Sequence, residues 1–360
     1  MSDILRLPAE RQYESELEAL KAAERGAVPD GWKMSPSSVY AYIVGGEVNG
    51  TKITPKYIGN SRLVQVAIAT LMTDRGLLLT GEPGTAKSRL SEHLAAAVSG
   101  CSSLVVQGSM GTTEEQVRYS WNYATLIASG PSEGALVKTP IYKAMEEGLC
   151  ARFEELSRCA PETQDALISM LSEKCIAVPE LRSELRARRG FSLIATSNTR
   201  DRGTNDMSAA LARRFNTVVL PSPATFELEM EIVTGRVAEL CGQLRLPAPQ
   251  PGDRAVAKAV TVLRELRTGA TLDGREKLRS PLSSCSAAET ISLLTGALAF
   301  ACGFGDGEIR DEHLASYLRG SAVKDEEKDG AAWKEYLENI MRKRGGEWQE
   351  LYKRASEQEN

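Results

Sequence analysis

The chain has 360 residues, 42% hydrophobic and 26% charged, with a formal net charge of −4. That length exceeds the ~150 residues of a one-domain prior, so two packed domains with extensions are expected. The acidic balance argues against a nucleic-acid-coating protein, leaving room only for a local basic strip.

Seven cysteines without a C-x-x-C pair point to reduced thiols in a cytoplasmic protein. No apolar run approaches the roughly 18 residues of a membrane span, and the N-terminus lacks a signal-peptide core. His93 and His313 match no metal motif and read as packing or surface residues.

Taken in chain order, residues 9–25 (AERQYESELEALKAAER) predict an amphipathic helix with Tyr13, Leu17 and Leu20 on one stripe and Gly26 as its stop. Residues 28–38, VPDGWKMSPSS, read as a linker. A helix is expected from Arg62 to Thr73, followed by a buried strand ending in Leu77, Leu78 and Leu79.

That strand runs into GEPGTAKS at 81–88, close to the phosphate-binding pattern G-x-x-x-x-G-K-[ST] but with Ala86 in place of the last glycine. A helix then follows, with Leu90, Leu94 and Val98 in phase and Gly100 as its stop. Strand, glycine loop and helix together make a site where backbone N–H groups point at an anion. Gly81, Glu82, Pro83, Gly84, Thr85, Ala86 and Arg89 are candidate nucleotide contacts. Lys87 is expected on the β/γ-phosphates of ATP, and the Ser88 hydroxyl on Mg²⁺. Ala86 fits if it already has right-handed helical dihedrals, where no positive φ is required.

Further strands are expected at 103–108, 148–156, 191–198 and 217–221, alternating with helical patterns, which reads as a parallel α/β sheet. The strand LCARFEEL ends in Glu154 and Glu155. Two acids there suit Mg²⁺ coordination and water activation, or simply open the next helix as solvated residues. FSLIATSN ends in Asn198, and LARRF places Arg213 and Arg214 before the last strand. After Pro221 the pattern is helical throughout. Trp333, Tyr336, Leu337, Ile340 and Met341 share one face of a tail helix, suited to docking on the chain's own body or on a partner.

The ordered set GEPGTAKS, RFEEL, IATSN and LARRF resembles the AAA+ ATPase superfamily, and within it the MoxR branch, whose phosphate loop also carries alanine in the sixth position. The resemblance spans about residues 40–320. It implies a P-loop NTPase fold, a parallel sheet flanked by helices and followed by an all-α lid, and ATP hydrolysis with Mg²⁺. The roles it implies are Walker A contacts for Lys87 and Ser88, the Walker B pair for Glu154 and Glu155, and sensor 1 for Asn198. Arg213 or Arg214 corresponds to an arginine finger, and Ile58 with Gly59 to the adenine-side segment. It also implies an insertion at 114–140, a hairpin at 174–190, a hexameric ring, and a von Willebrand factor A domain partner supplied by another protein.

The implied divisions are 1–50 as N-terminal helix and linker, 51–222 as the nucleotide-binding domain, 223–320 as the lid and 321–360 as a tail. Two features depart from the pattern. Glu154 replaces the usual aspartate, and no sensor 2 arginine is identifiable, with Arg275 and Arg279 only nearby. The hairpin segment holds Arg182, Arg186, Arg188 and Arg189, either a pore-facing basic loop or a solvated face offset by Glu180 and Glu184. A nucleotide-gated scaffold with little hydrolysis and a nucleic-acid-associated motor are the alternative readings.

Overall fold

The computed structural model describes residues 4–198, 205–248, 253–281 and 285–358. The chain divides into two compact units, Met1–Glu82 with Ala86–Leu220, and Pro83–Thr85 with Pro221–Asn360.

The first unit is built on a five-stranded sheet of β1 (Gly76–Gly81), β2 (Val105–Gln107), β3 (Cys150–Glu154), β4 (Ser192–Asn198) and β5 (Phe215–Val219). The strands lie in the order β5-β1-β4-β3-β2 and every pairing is parallel. A parallel sheet needs both faces covered, so its strands are apolar throughout rather than alternating. In β1, Leu77 and Leu79 enter the core on one face and Leu78 the core on the other. The register sets Asn198 beside Gly81 and Ala195 beside Phe153, so the carboxyl ends of β1, β3 and β4 come together. Ligands of open parallel sheets bind at such ends.

The first face is covered by α1 (Glu14–Ala22), α2 (Pro36–Val44), α3 (Ser61–Leu71) and α4 (Lys87–Ser99). The N-terminal stripe is buried as expected at Tyr13, Leu17 and Leu20, although the helix breaks at Tyr13 and ends at Ala22, short of Gly26. The reading of 28–38 as a linker is overturned. Met34 is fully buried, Trp32 nearly so, and both belong to the same core as Leu77 and Leu90. Three local contacts fix the segment: Lys33 N–H donates to the Val98 carbonyl, Ser35 N–H to the Glu24 carboxylate, and the Ser35 hydroxyl caps α2. Proline, glycine and serine here build a tight path and a helix cap. The apolar residues between them contribute burial worth about 1.5–3 kcal/mol each.

The opposite face carries Pro140–Glu147 and Leu167–Ser172, with Ile141, Met145, Leu167 and Met170 in the core. Two antiparallel pairs stand outside the sheet. Tyr119–Trp121 pairs with Leu136–Lys138 across a short helix, Tyr123–Ser129, and Cys175–Val178 pairs with Ser183–Arg186. These occupy the two expected insertion places. In the second pair Arg186 is bonded to Glu184, while Glu180 accepts from Tyr119. Arg189 pairs with Asp30.

Among its described residues the second unit is helical apart from one isolated bridge, its longer helices being α5 (Phe226–Leu244), α6 (Arg254–Thr268), α7 (Ala287–Phe304), α8 (Asp311–Ala322), α9 (Glu326–Tyr336) and α10 (Gln349–Glu357). Among the described helices α7 is long and apolar enough to cross a membrane by length and composition alone, a test that a core helix also passes; Glu289 and its threonines keep it from being an unbroken apolar run. Leu293, Leu294, Ala297 and Leu298 of α7 lie in the core of this unit. Trp333, Tyr336, Leu337, Ile340 and Met341 lie in that same core, so the tail's apolar face docks on its own unit.

Candidate functional site

The loop after β1 and the start of α4 carry the first side chains. Lys87 is buried, and its ammonium donates to the carbonyls of Gly81 at 3.1 Å and Glu82 at 2.7 Å. Gly84 has φ 78°, a left-handed value that glycine adopts without penalty. The expected right-handed conformation of Ala86 is overturned: its φ and ψ are 64° and 23°, and α4 begins only at Lys87. An L-residue held there carries a steric cost of about 1–2 kcal/mol from its Cβ. Loop closure onto the helix, and not the residue's own preference, sets this backbone. Non-glycine residues in such regions cluster at functional sites.

Ser88 brings the loop to the acids. Its hydroxyl donates to Glu154 Oε2 at 2.6 Å. The Thr196 hydroxyl donates to the same oxygen at 2.7 Å, while Oε1 accepts from Ser91 Oγ at 2.5 Å and Arg152 Nη2 at 2.7 Å. Burial pushes the Glu154 carboxyl up, but the Arg152 guanidinium and the three hydroxyls outweigh it and hold it below the usual range. Glu154 is therefore an anion at neutral pH, closing the carboxyl end of β3.

Glu155 has left the strand. Its φ of 57° turns the chain into a short 3₁₀ turn, and its backbone N–H donates to Thr196 Oγ1 at 3.0 Å. The Asn198 amide donates to both Glu155 oxygens, at 3.1 and 2.9 Å, and Arg158 Nε lies 3.4 Å from Oε2. The adjacent acids thus point to different partners, Glu154 to the phosphate-loop serine and Glu155 to the end of β4. Neither is a free solvated helix opener.

Lys87, Ser88, Glu154, Glu155 and Asn198 all converge at the carboxyl ends of β1, β3 and β4. Arg213 and Arg214 share no hydrogen bond with them. Arg214 is held by the Ser172 hydroxyl and the Ala210 carbonyl, capping the helix Ala209–Ala212, whereas Arg213 is exposed and its guanidinium has no partner among the described residues. Arg89 reaches the opposite way, donating to the Lys56 carbonyl at 3.2 Å and so tying α4 to the segment that carries half-buried Ile58 and exposed Gly59.

His93 is buried against the Tyr42 hydroxyl, 3.0 Å away, and His313 Nδ1 accepts from the Arg310 N–H. Both serve packing or capping. Arg275 lies beside Asp273 and Arg279 is exposed, while residues 282–284 of the segment searched for sensor 2 lie outside the described residues.

Sequence reasoning missed Arg152, Ser91 and Thr196. Each left a signal. Arg152 is a charge inside an apolar strand, Ser91 is one turn past Ser88, and Thr196 precedes Asn198 by one strand repeat.

Residues 76–215 match the AAA domain of the dynein-related subfamily, and residues 227–360 match the C-terminal domain of YehL-like AAA+ ATPases. YehL of Escherichia coli (strain K12) is 39% identical over 351 residues, covering 96% of either chain. YojN of Bacillus subtilis (strain 168) is 29% identical over 165 residues, 43% of this chain and 50% of that protein. Among solved structures, NtrX from Brucella abortus superposes with a TM-score of 0.51 at 14% identity, over 90% of this chain and 71% of that one, a likeness of fold.

Proposed function

Because this chain belongs to the YehL-like AAA+ ATPases, we propose that it binds and hydrolyses ATP and couples the cycle to remodelling or assembling a partner protein. The observation that carries this reading is the double contact at the strand ends, Ser88 with Glu154 and Asn198 with Glu155. One acid is tied to the phosphate loop, and its neighbour is aimed by the residue that ends the adjacent strand. ATP hydrolysis needs that division of labour.

Lys87 meets the β/γ-phosphates as a charged donor. The Ser88 hydroxyl and Glu154 carboxylate, hard oxygen donors, fit Mg²⁺, which would neutralise charge on the phosphate oxygens. Glu155 takes the proton of the attacking water, and Asn198 holds Glu155 in line. Arg213, exposed and unengaged, is the better candidate to act on a neighbouring subunit's nucleotide, in a ring of the hexameric type; Arg214 is occupied at home. The MoxR-like motifs support a chaperone-like role with a von Willebrand factor A domain protein as partner. Free cysteines throughout fit work in the cytoplasm.

One observation favours the scaffold reading instead. Four side-chain donors among the described residues already engage the Glu154 carboxylate, so a metal must displace or share them. Steady-state phosphate release separates the two readings: turnover that is abolished by Lys87→Ala supports hydrolysis, while nucleotide binding without turnover supports the scaffold. Lys87→Ala removes a charge-assisted contact worth roughly 1.5–3 kcal/mol, so affinity for a fluorescent ATP analogue should fall at least about tenfold. Unchanged affinity removes the phosphate-loop assignment.

A further inference from the structure

Arg152 occupies the middle of β3, between Ala151 and Phe153, and is only 8% exposed. A guanidinium so placed is tolerated only where its N–H groups are met. Here they are. Nε donates to Ser91 Oγ at 3.0 Å, Nη1 to the Ser102 carbonyl at 3.0 Å, and Nη2 to the Ser88 carbonyl at 3.1 Å and to Glu154 Oε1 at 2.7 Å. One side chain thus joins the first turns of α4, the loop beyond that helix and the acid at the end of β3.

The consequence is electrostatic. Glu154 and Glu155 are adjacent acids at the place assigned to a triphosphate, and charges a few ångströms apart in a protein interior interact strongly. Arg152 offsets the first of them from behind. It also engages Oε1, leaving Oε2 turned to the Ser88 hydroxyl.

We propose that Arg152 is a positioning residue of the nucleotide site: it holds Glu154 by one oxygen and offsets its charge, so that nucleotide binding depends less on a divalent cation than it would beside an unpaired acid. The inference rests on the ATP-binding reading above.

The test measures the dissociation constant of a fluorescent ATP analogue for the full chain, in Mg²⁺ and again in EDTA, and takes the ratio of the two. Arg152→Met should raise the EDTA-to-Mg²⁺ ratio at least tenfold over the wild type. Arg152→Lys, which keeps the charge, should stay within about threefold. Arg152→Met with Glu154→Gln, neutral at both positions, should recover thermal stability lost in the single variant, because no unpaired buried acid remains. If Arg152→Met does not fold, Arg152→Gln, uncharged but still a hydrogen-bond donor, decides in its place, and a ratio within threefold of the wild type overturns the inference. An unchanged ratio in folded Arg152→Met overturns it as well. Failure of the wild type to bind nucleotide under either condition overturns the underlying ATP reading too, a result distinct from wild-type binding with an unmoved ratio.

Discussion

Replacing Glu155 by glutamine isolates the catalytic acid from the metal-side acid. The two carboxylates are neighbours in sequence, yet they share no hydrogen-bond donor side chain. Glu155 accepts from Asn198 and faces Arg158, whereas Glu154 accepts from Ser88, Ser91, Arg152 and Thr196. Glu155→Gln therefore leaves the loop, the Ser88 contact and the buried ion pair intact. What it removes is the anion that takes a proton, and one of the two acceptors offered to the Asn198 amide. Loss of a positioned base costs about 10²–10⁴ in rate, or roughly 2.7–5.4 kcal/mol at the transition state. Nucleotide affinity should stay within about threefold, well under 1 kcal/mol. Single-turnover phosphate release at saturating ATP, paired with a fluorescent-nucleotide titration, separates the two effects. Asn198→Ala should slow the same step with binding intact, because it frees Glu155 without touching Lys87 or Ser88. A Glu155→Gln protein that turns over within tenfold of the wild type refutes the division of labour between the acids.

Arg213→Ala should bind ATP and hydrolyse it poorly, since an arginine acting in trans is worth about 10³–10⁵ in rate. Mixing it with Lys87→Ala protein should restore part of the activity, and turnover per chain should rise with protein concentration; full activity in the single variant would remove the shared site. Ala86→Gly relieves a left-handed alanine, so stability should rise by about 1 kcal/mol and Tm by about 2–4 °C in a thermal scan; a fall in Tm would show that the methyl group stabilises the loop. For pH, the sign follows from Glu154. Its folded pKa is depressed below 4.5, so its contribution to stability is complete above about pH 4.5 and is lost as pH falls through the lowered value. Urea midpoints between pH 3 and 7 should show that loss in the wild type and lack its share in Glu154→Gln.

Much of this was legible in the residues themselves. The loop GEPGTAKS, the paired acids after LCARF and the asparagine after LIATS are local patterns. Each sits at the end of an apolar strand, and a parallel sheet brings strand ends together whatever the details of packing. The helical half was readable for a similar reason, because a 3.6-residue period survives without knowledge of the partner surface. Residues 28–38 misled because proline, glycine and serine mark turns equally in mobile linkers and in fixed connections. Only the core around Met34 and the Lys33–Val98 hydrogen bond distinguishes the two.

Tertiary structure alone decided the rest. No local rule assigns Ala86 a positive φ, since that angle is imposed by joining β1 to α4 over a loop of set length. No spacing rule links Arg152 to Ser91, 61 positions away, or Glu154 to Thr196, 42 positions away. Such contacts exist because β3 lies beside β4 in the sheet and α4 crosses behind both. The same packing parts the two arginines of LARRF, holding Arg214 against Ser172 and leaving Arg213 exposed. Sequence determined which chemical groups the site contains and on which elements they ride. The partners of each group followed from strand order and helix packing, because hydrogen bonds between distant segments depend on where the backbone returns rather than on what it carries.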